Sequence, residues 1–504
     1  MTGKVWLVGA GPGDIGLLTV KGKSVIKQAD VIVYDHLVGK EILSALDDRK
    51  KLINVGKLAG HHPIPQEQIN RILVAEALKG RKVVRLKGGD PFLFGRGGEE
   101  LEELEKHQIP FEVVPGVTSS LAVPAYSGIP VTHRTYASSV HIITGHKRQG
   151  QKDSTNYQAL VQAGGTLVFL MGVTALPQII QRLLEAGIDP EIPSAILQEG
   201  TTAGQRCVTA PLKFLEEKAK EAGIQPPAII VVGSVCKLSE TLAWYEKLPL
   251  QGMKVILTRP KELISALAEK LRAKGAEVLE FPAIDTVPME NNPGLWRCFQ
   301  KLEDYAWIVF TSQVGVRIFF EQMKKQEVDI RKLSKAKFAV IGEGTKKALR
   351  ERGIYADLMP EIYDGESLGK LLASEGINGQ QILIPRAAKG NEALVPLLEK
   401  AGARVEDVAL YQTVYRECQS ISAKEEIEKG TIDLVVFTSS STVEGFAAVT
   451  KGMDYTKIKA ACIGKQTADT ARRYGMKCYV AKKATLDSLV ELVTTIKETE
   501  KGKV

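Results

Sequence analysis

The sequence has no apolar run long enough to cross a membrane. Its first apolar stretch extends only from Val5 to Ala10 before a Gly-Pro-Gly turn, which is too short for a transmembrane helix or for the apolar region of a signal peptide. Its six cysteines lie far apart and include no C-x-x-C pair, a pattern that disfavours a zinc site and a disulfide framework. These absences predict a cytoplasmic protein that binds neither a metal ion nor a membrane.

Histidine and clustered positive charge are also scarce. All seven histidines fall within the first 146 residues, which excludes a Ser-His-Asp triad and histidine-ligated metals from the rest of the chain. Lys and Arg number 67 against 59 Asp and Glu, a net charge of +8, without a polybasic run or a basic stripe interleaved with aromatic residues. The charge gives no support for nucleic-acid binding and fits an anionic small-molecule substrate equally well.

What the sequence does contain is an α/β pattern over 504 residues, a length of about three domains at ~150 residues each. A strand from Lys4 to Val8, a glycine-rich turn, a helix from about Leu17 to Gln28 and a strand from Ala29 to Tyr34 open the chain. The segment from Trp244 to Gly252 is predicted to be a linker, because a new strand, Lys254–Leu257, begins after it. Further strands are predicted at Lys82–Leu86, Phe111–Val114, Val140–Thr144, Thr166–Leu170 and Ala228–Val232.

The second half of the sequence contains an internal duplication with an offset of 127 residues. Phe310 recurs as Phe437 within the same word, Val-Phe-Thr-Ser. After a five-residue deletion the match resumes, with Ile341 corresponding to Ile463. Such a repeat predicts two similar α/β lobes with a ligand bound in the cleft between them.

A glycine-rich turn, Gly9-Ala-Gly-Pro-Gly-Asp14, follows the first strand and precedes a helix, the position of the phosphate-binding turn in dinucleotide folds. Asp35, at the end of the second strand, mimics the acid that binds ribose in those folds. Pro12, however, removes one backbone N–H, and Asp14 adds a negative charge where a phosphate would bind. Both features favour a cationic or neutral ligand, so the turn alone leaves a nucleotide site, another ligand site and a structural turn as alternatives.

Four further segments in the first half begin or follow strands. They are Arg85-Leu-Lys-Gly-Gly-Asp-Pro-Phe-Leu-Phe-Gly-Arg-Gly-Gly-Glu99, Val114-Pro-Gly-Val-Thr-Ser119, Phe169-Leu-Met-Gly172 and Pro226-Pro-Ala-Ile-Ile-Val-Val-Gly233. With the opening turn, and in this order, they resemble the tetrapyrrole (corrin and porphyrin) methyltransferase family, most closely uroporphyrinogen-III C-methyltransferase. The resemblance covers residues 1 to about 245 and implies S-adenosylmethionine-dependent methylation of two ring carbons of uroporphyrinogen III, which gives precorrin-2.

The resemblance also implies the residues of the methyltransferase site. Asp35 is the expected proton acceptor and Lys57 the expected proton donor, since carbon methylation of the ring leaves a proton to be removed. Arg96, His133 and Arg134 are either solvated side chains or clamps for substrate carboxylates. The expected cofactor-binding residues are Pro12, Gly88, Gly89, Asp90, Leu93, Thr118, Ser119, Met171, Gly200 and Ala228.

The second half resembles uroporphyrinogen-III synthase, which likewise consists of two α/β lobes joined by a short two-stranded connection. Matching words include Leu257-Thr-Arg-Pro260, Ile384-Pro-Arg386 and Leu410-Tyr-Gln-Thr-Val414. The resemblance implies cyclisation of hydroxymethylbilane to uroporphyrinogen III with inversion of the last ring and loss of water. This reaction requires positioning of a flexible polyanion more than strong acid or base groups, which is consistent with the absence of histidine.

One position breaks the symmetry of the duplication. Ile284 in the first copy corresponds to Tyr411 in the second. We expect Tyr411 to donate a hydrogen bond to the departing hydroxide, and a core tyrosine in a strand is the alternative. Residues expected to hold substrate carboxylates are Arg259, Thr311, Ser312, Thr345, Arg386, Lys389, Thr438, Ser439 and Thr467.

Together these inferences predict an α/β protein in which a two-lobed tetrapyrrole methylase fold precedes a two-lobed uroporphyrinogen-III synthase-like fold with internal duplication. The expected methylase domain is residues 1–247, with lobes of about 1–115 and 116–247. The expected synthase domain is residues 248–504, with lobe A of about 251–286 plus 414–504 and lobe B of about 287–413. The expected activity is bifunctional, in the sirohaem or cobalamin branch, with a homodimer formed through the methylase half. The alternative is an NAD-dependent oxidoreductase fused to a two-lobed ligand-binding regulator.

Overall fold

The computed structural model describes residues 2–47, 49–56, 64–145, 155–258, 261–389, 393–416 and 421–501. Within these ranges the chain forms four sheets of five strands each. The first two sheets use consecutive stretches of the N-terminal half, and the last two share the C-terminal half. No helix in the described ranges combines the length and the apolar character needed to span a membrane.

The first sheet is parallel throughout. Its elements are β1 (Lys4–Gly9), α1 (Val20–Gln28), β2 (Val31–Tyr34), α2 (Lys40–Ala45), β3 (Lys51–Asn54), α3 (Gln66–Leu78), β4 (Lys82–Lys87), α4 (Gly97–Lys106) and β5 (Phe111–Val114). The strand order is β3-β2-β4-β1-β5. β2 is buried along its whole length, as expected for a parallel strand with helices on both faces of the sheet.

The second sheet is mostly antiparallel. Its elements are α5 (Ser119–Tyr126), β6 (Val140–Thr144), α6 (Tyr157–Ala163), β7 (Thr166–Leu170), α7 (Leu176–Glu185), β8 (Pro193–Gln198), β9 (Arg206–Pro211), α8 (Leu215–Glu221), β10 (Ala228–Val232) and α9 (Ser239–Leu242). The strand order is β6-β7-β10-β8-β9, and only β6 and β7 are parallel neighbours. The predicted strands β5, β6, β7 and β10 match the structure, whereas β3, β8 and β9 were not predicted.

The segment predicted as a linker is packed against both halves. The indole N–H of Trp244 donates to the Ala125 carbonyl at 3.0 Å, and the ring of Tyr245 lies 5.0 Å from that of Tyr126. Leu250 is fully buried in the core of the C-terminal half. Tyr245 and Leu250 are buried whereas Trp244 is exposed, so the segment is anchored to both halves by two apolar contacts and one hydrogen bond.

The C-terminal half repeats one order of strands and helices. Its elements are β11 (Lys254–Leu257), α10 (Lys261–Arg272), β12 (Glu277–Glu280), β13 (Ile284–Pro288), α11 (Pro293–Gln300), β14 (Trp307–Phe310), α12 (Gln313–Lys325), β15 (Lys337–Val340), α13 (Glu343–Arg350), α14 (Gly365–Ala373), β16 (Gln381–Ala387), α15 (Leu394–Lys400), β17 (Arg404–Tyr415), α16 (Ile421–Glu428), β18 (Leu434–Phe437), α17 (Ser440–Val449), β19 (Lys459–Cys462), α18 (Lys465–Arg473), β20 (Lys477–Val480) and α19 (Leu486–Lys501).

The two copies of the duplication exchange strands. Sheet A has the order β12-β11-β18-β19-β20, and sheet B has the order β13-β17-β16-β14-β15. Each sheet thus takes three strands from one copy and two from the other. The long strand β17 pairs with β13 in the antiparallel sense, from Ile284 opposite Tyr415 to Pro288 opposite Tyr411. The internal duplication inferred from sequence is therefore a structural repeat, and β13 with β17 is the two-stranded connection.

Candidate active sites in the two halves

Three glycine-rich segments meet at the carboxyl edge of the first sheet, where β4, β1 and β5 are adjacent. Gly11 and Gly89 exchange backbone hydrogen bonds of 3.2 and 2.8 Å. A Cβ on Gly9 would lie only 2.4 Å from the Cα of Gly116. Asp90 joins the segment after β4 to the segment after β5, since its carboxylate accepts a hydrogen bond from the Gly116 N–H at 3.0 Å. Segments distant in sequence thus form one cleft floor with few side chains.

The second sheet contributes the opposite wall of this cleft. Met171 follows β7, Gly200 lies two residues beyond β8, and Ala228 begins β10. These three positions share one edge of the sheet because β10 runs antiparallel to both neighbours. The lobes touch where the Asp14 N–H donates to the Thr201 hydroxyl at 3.2 Å. Met171 is exposed and has a left-handed backbone with φ of 54°.

The remaining predicted cofactor residues lie on the same segments. Pro12 is within the glycine-rich turn, and Gly88 packs against Leu37, whose Cβ would be 2.6 Å from a Cβ at Gly88. Thr118 caps α5, because its hydroxyl accepts from the Ser120 N–H at 3.3 Å. Leu93 lies in the loop between β4 and α4, and Ser119 is the first residue of α5.

Asp35 ends β2 and is held by a buried arginine. Its side chain is 21% exposed, and one oxygen accepts from the Arg85 guanidinium at 3.2 Å. The other oxygen accepts from the Leu37 N–H at 3.1 Å. Arg85 is fixed in turn by a 3.0 Å hydrogen bond to the Leu86 carbonyl. The predicted proton acceptor is therefore held in place by hydrogen bonds and has a face open to solvent.

Two further buried charges lie behind Arg85. Glu100 in α4 accepts from Arg85 at 3.1 Å and from Lys87 at 2.9 Å through the same oxygen. Its other oxygen has no hydrogen-bond partner among the described residues. Burial, with the neighbouring Arg85 acting in the same direction, lowers the pKa of Lys87. No role was predicted for these residues, although charged Arg85 and Lys87 within an apolar strand indicate buried ion pairing.

Asp14 has a structural partner that was not predicted. Its carboxylate accepts from the Gly16 N–H at 2.7 Å and from the Tyr126 hydroxyl at 2.7 Å. Burial, and then the contact with Asp14, raises the pKa of Tyr126, so this phenol stays protonated. The negative charge that argued against a phosphate site thus also ties the turn to the second lobe.

The other predicted methylase residues lie apart from this cluster or outside the described ranges. Lys57 is outside the described residues. Arg96 is exposed and forms an ion pair with Glu99 at 2.5 Å. His133 packs on Tyr136 with ring centroids 5.0 Å apart, and Arg134 is exposed beside it. Their roles as substrate clamps stay predictions.

The strand order argues against the dinucleotide alternative. In a Rossmann sheet β1 and β2 are neighbours, which brings the acid after β2 close to the phosphate-binding turn. Here β4 lies between β1 and β2, so Asp35 is two strands away from the glycine-rich turn. The acid therefore faces a different part of the cleft from the one where a ribose would lie.

In the C-terminal half, Tyr411 lies in β17 against the start of α12. The residue is 7% exposed, and its hydroxyl is 2.8 Å from the Ser312 hydroxyl. Ser312 caps α12 by accepting from the Gly315 N–H at 2.9 Å. Burial raises the pKa of Tyr411, against the effect of the Ser312 hydrogen bond. The phenol therefore stays protonated.

The predicted carboxylate-holding hydroxyls cluster at helix N-termini that follow parallel strands. Ser312 and Ser439 are the N-caps of α12 and α17, after β14 and β18. Thr345 and Thr467 lie in the first turns of α13 and α18 and are buried. Each sheet thus directs two helix N-termini toward one edge, where backbone N–H groups favour anions. Thr311 and Thr438 directly precede the N-cap residues Ser312 and Ser439, between the strand and the helix.

The predicted basic residues of this half are less uniform. Arg386 forms a two-point ion pair with Asp407, at 2.7 and 2.5 Å, so its charge is already balanced. Lys389 is exposed just after β16. Arg259 is outside the described residues.

The fold and the two clefts define a protein with two separate catalytic halves, and family models match each half. A model of tetrapyrrole (corrin/porphyrin) methylases matches residues 4–216. A model of uroporphyrinogen-III synthase HemD matches residues 265–491.

Known relatives match this chain over nearly its full length or over part of it. The porphyrin biosynthesis protein HemD of Ruminiclostridium josui is 45% identical over 98% of this chain and 98% of its own length. The uroporphyrinogen-III C-methyltransferase of Bacillus subtilis is 42% identical over 70% of this chain and 72% of its own. Among solved structures, a uroporphyrin-III C-methyl transferase from Thermus thermophilus complexed with S-adenosyl homocysteine is 38% identical, with 47% of this chain and 94% of that chain covered and a TM-score of 0.41.

The chain belongs to the family in which a tetrapyrrole methylase is fused to a uroporphyrinogen-III synthase. It is a bifunctional enzyme of tetrapyrrole biosynthesis whose methyl donor is S-adenosylmethionine. These matches favour the methylase interpretation of the glycine-rich turn over the NAD-dependent oxidoreductase and the ligand-binding regulator.

Proposed function

We propose that the C-terminal half cyclises hydroxymethylbilane to uroporphyrinogen III and that the N-terminal half methylates this product twice to give precorrin-2. The observation that carries the proposal is the convergence of the predicted methylase segments on one cleft, with the Arg85-bound carboxylate of Asp35 at its edge. The name of the Bacillus subtilis relative supports uroporphyrinogen III as the substrate.

The methylase cleft suits S-adenosylmethionine. Glycines at the strand ends keep its floor clear of side chains, and a Cβ at Gly89 would meet only the Ser119 nitrogen, at 3.9 Å. The carboxylates of Asp14 and Asp90 add negative charge near a cationic ligand. When bound, the cofactor supplies an electrophilic methyl group. The proposed holding residues are the ten cofactor-binding positions named above.

Asp35 is the proposed base. It is partly exposed, so a substrate can reach it, and its hydrogen bond from Arg85 holds the carboxylate in place. The carboxylate then takes the proton that carbon methylation makes acidic. Lys57 is proposed as the proton donor from the family pattern, and Arg96, His133 and Arg134 are proposed as contacts to substrate carboxylates.

In the synthase cleft, Tyr411 is proposed to donate a hydrogen bond to the departing hydroxide of the bilane. Its raised pKa supports the donor form, and Ser312 orients the hydroxyl. The helix N-termini that contain Ser312, Thr345, Ser439 and Thr467 are proposed to hold substrate carboxylates. Arg259, Thr311, Arg386 and Thr438 are proposed as further contacts.

The domain limits and the assembly are also proposed. We place the methylase at residues 1–247 and the synthase at 248–504. A homodimer through the methylase half is supported by exposed large apolar side chains in that half, namely Phe92, Phe94, Leu121 and Tyr136. Sedimentation of the full chain tests the dimer. A cytoplasmic location agrees with the free thiols of the five cysteines that lie within the described residues.

One incubation tests both activities. The full chain is mixed with hydroxymethylbilane and S-adenosylmethionine, and the precorrin-2 chromophore is followed. Appearance of the chromophore supports both steps. Uroporphyrinogen III without precorrin-2 would contradict the methylase assignment. Precorrin-2 formed from added uroporphyrinogen III but not from hydroxymethylbilane would contradict the synthase assignment.

A further inference from the structure

Helix α2 of the methylase half covers the open edge of sheet A in the synthase half. β12 is the edge strand of that sheet, and alternate N–H groups of an edge strand point away from the sheet. Two of them find acceptors on α2. The Val278 N–H donates to the Glu41 carboxylate at 2.5 Å, and the Glu280 N–H donates to the Ser44 hydroxyl at 3.0 Å. The two halves therefore meet through side chains in register with the strand.

Glu41 makes the central contact. The residue is 5% exposed, and the oxygen that accepts from Val278 also accepts from the Arg272 guanidinium at 3.0 Å. Its second oxygen lies 3.4 Å from the Ile15 N–H, directly after Asp14. One carboxylate thus joins β12 and α10 of the synthase half to the glycine-rich turn of the methylase half.

Other charges at this contact are also paired. Glu426 accepts from Lys40 of α2 at 2.8 Å and from Lys254 at 3.1 Å. Glu277 accepts from the Ala203 N–H, in the loop after β8, at 3.0 Å. These pairs match specific groups of the two halves to each other, so they favour a single docked arrangement over other relative placements.

The glycine-rich turn packs against the start of α2 with little clearance. A Cβ on Gly39, which precedes α2, would lie 2.4 Å from the Gly13 carbonyl oxygen. A Cβ on Gly13 would lie 2.6 Å from Thr202. A polar cavity of about 30 Å³ borders this packing and is lined by residues of both halves, including Asp14 and Arg272. A displacement of α2 would therefore displace the turn.

We propose that Glu41 is a positioning residue for the methylase cofactor turn, and that it acts through its contact with the synthase half. The proposal rests on the proposed function, in which this turn holds S-adenosylmethionine. In this arrangement the edge of sheet A and Arg272 fix α2, and α2 fixes the turn. The synthase half then contributes to cofactor affinity, and by linkage the cofactor stabilises the docking of the two halves.

The test measures the dissociation constant of S-adenosylhomocysteine by titration calorimetry on the full chain. Glu41→Ala and Arg272→Ala are the test variants, and Lys270→Ala is the matched control, because Lys270 lies on the same helix as Arg272 but pairs with Asp487 within the synthase half. We expect both test variants to weaken binding by about tenfold, within the usual range of coupling between sites. We expect the double variant to resemble either single variant, and the control to change binding less than twofold.

The readouts separate positioning from folding. A positioning role raises the KM for S-adenosylmethionine and leaves kcat at saturating cofactor unchanged, whereas partial unfolding lowers the binding stoichiometry and kcat without a change in affinity. Unchanged affinity in Glu41→Ala would overturn the proposal. Wild-type affinity in Arg272→Ala, with weakened Glu41→Ala, would overturn the part assigned to the synthase half. Failure of the wild-type chain to bind S-adenosylhomocysteine would instead overturn the proposed function.

Discussion

The two clefts differ in how their polar groups are held. In the methylase half, Asp35 is backed by buried charges, with Arg85 hydrogen-bonded to both Asp35 and Glu100. In the synthase half, the candidate polar groups are hydroxyls at helix N-termini, and the Tyr411 hydroxyl is hydrogen-bonded to the Ser312 hydroxyl. Removal of a proton from carbon needs a base held in its charged form. Ring closure of a polyanion needs a shaped set of neutral donors. The contrast leads to a prediction that charged groups serve the first reaction and hydrogen-bond geometry serves the second.

The largest effect should follow removal of the charge on Asp35. Asp35→Asn leaves the shape of the site but no base, so methylation should slow by roughly 10²- to 10⁴-fold. The rate of bilane cyclisation by the same protein serves as the control and should stay unchanged. Methylation at the wild-type rate in Asp35→Asn would contradict the role of Asp35 as the base.

Glu100 tests whether the charges behind Asp35 are structural supports. Glu100→Gln leaves Arg85 and Lys87 buried opposite a neutral amide, which should lower the free energy of unfolding of the methylase half by about 3–5 kcal/mol. Glu99→Gln in the same helix is the matched control, because its ion pair with Arg96 is exposed and should contribute less than about 1 kcal/mol. Thermal unfolding of both variants distinguishes them, and equal melting temperatures would contradict the buried network.

The sequence predicted local patterns better than contacts between distant segments. β5, β6, β7, β10 and β11 were found because apolar β-branched runs report strand burial directly. The repeat was found because its detection requires only a comparison of the sequence with itself. The partnership of Arg85 with Glu100 was missed, because periodicity shows which face is buried but not which side chain it meets.

The contact between the halves could likewise not be predicted from the sequence. Glu41 lies in an ordinary amphipathic stretch, and nothing near it indicates that an edge strand more than 200 residues later needs hydrogen-bond acceptors. The junction around Leu250 was predicted as a linker because a new strand begins after it, yet Leu250 is fully buried. Docking depends on the shapes of two finished folds, which local patterns do not contain.

Tyr411 provides the corresponding test in the second half. Tyr411→Phe removes one neutral donor, so cyclisation should slow by roughly 10- to 100-fold, somewhat less than the loss of an oxyanion donor. Tyr415→Phe is the matched control, because Tyr415 lies in the same strand but is exposed, with its hydroxyl 3.3 Å from Glu444. Methylation of added uroporphyrinogen III should be unchanged in both variants. A wild-type cyclisation rate in Tyr411→Phe would make this residue a core tyrosine.

The smallest expected effect concerns the contact between the halves. Burial raises the pKa of Glu41 from 4.5 to about 7, against the opposing effect of Arg272. Between these values the folded chain binds more protons than the unfolded chain, so stability falls as pH rises through this window. Glu41→Gln does not titrate and lacks this contribution. From about pH 5 to about pH 8, the wild-type chain should therefore lose about 1–3 kcal/mol more than the variant.

Urea unfolding of the full chain at both pH values measures this difference. Groups remote from Glu41 are present in both proteins and cancel in the comparison. The pKa of the neighbouring Glu277 is also raised by burial, and its charge acts on Glu41, so the measured difference belongs to the pair. Parallel pH profiles would mean that the carboxyl titrates as it does in water and that the halves meet through an exposed contact. A steeper wild-type profile would instead show that the Glu41 carboxyl is buried at the contact between the halves. This group takes no direct part in either reaction, and it limits how independently the two clefts behave.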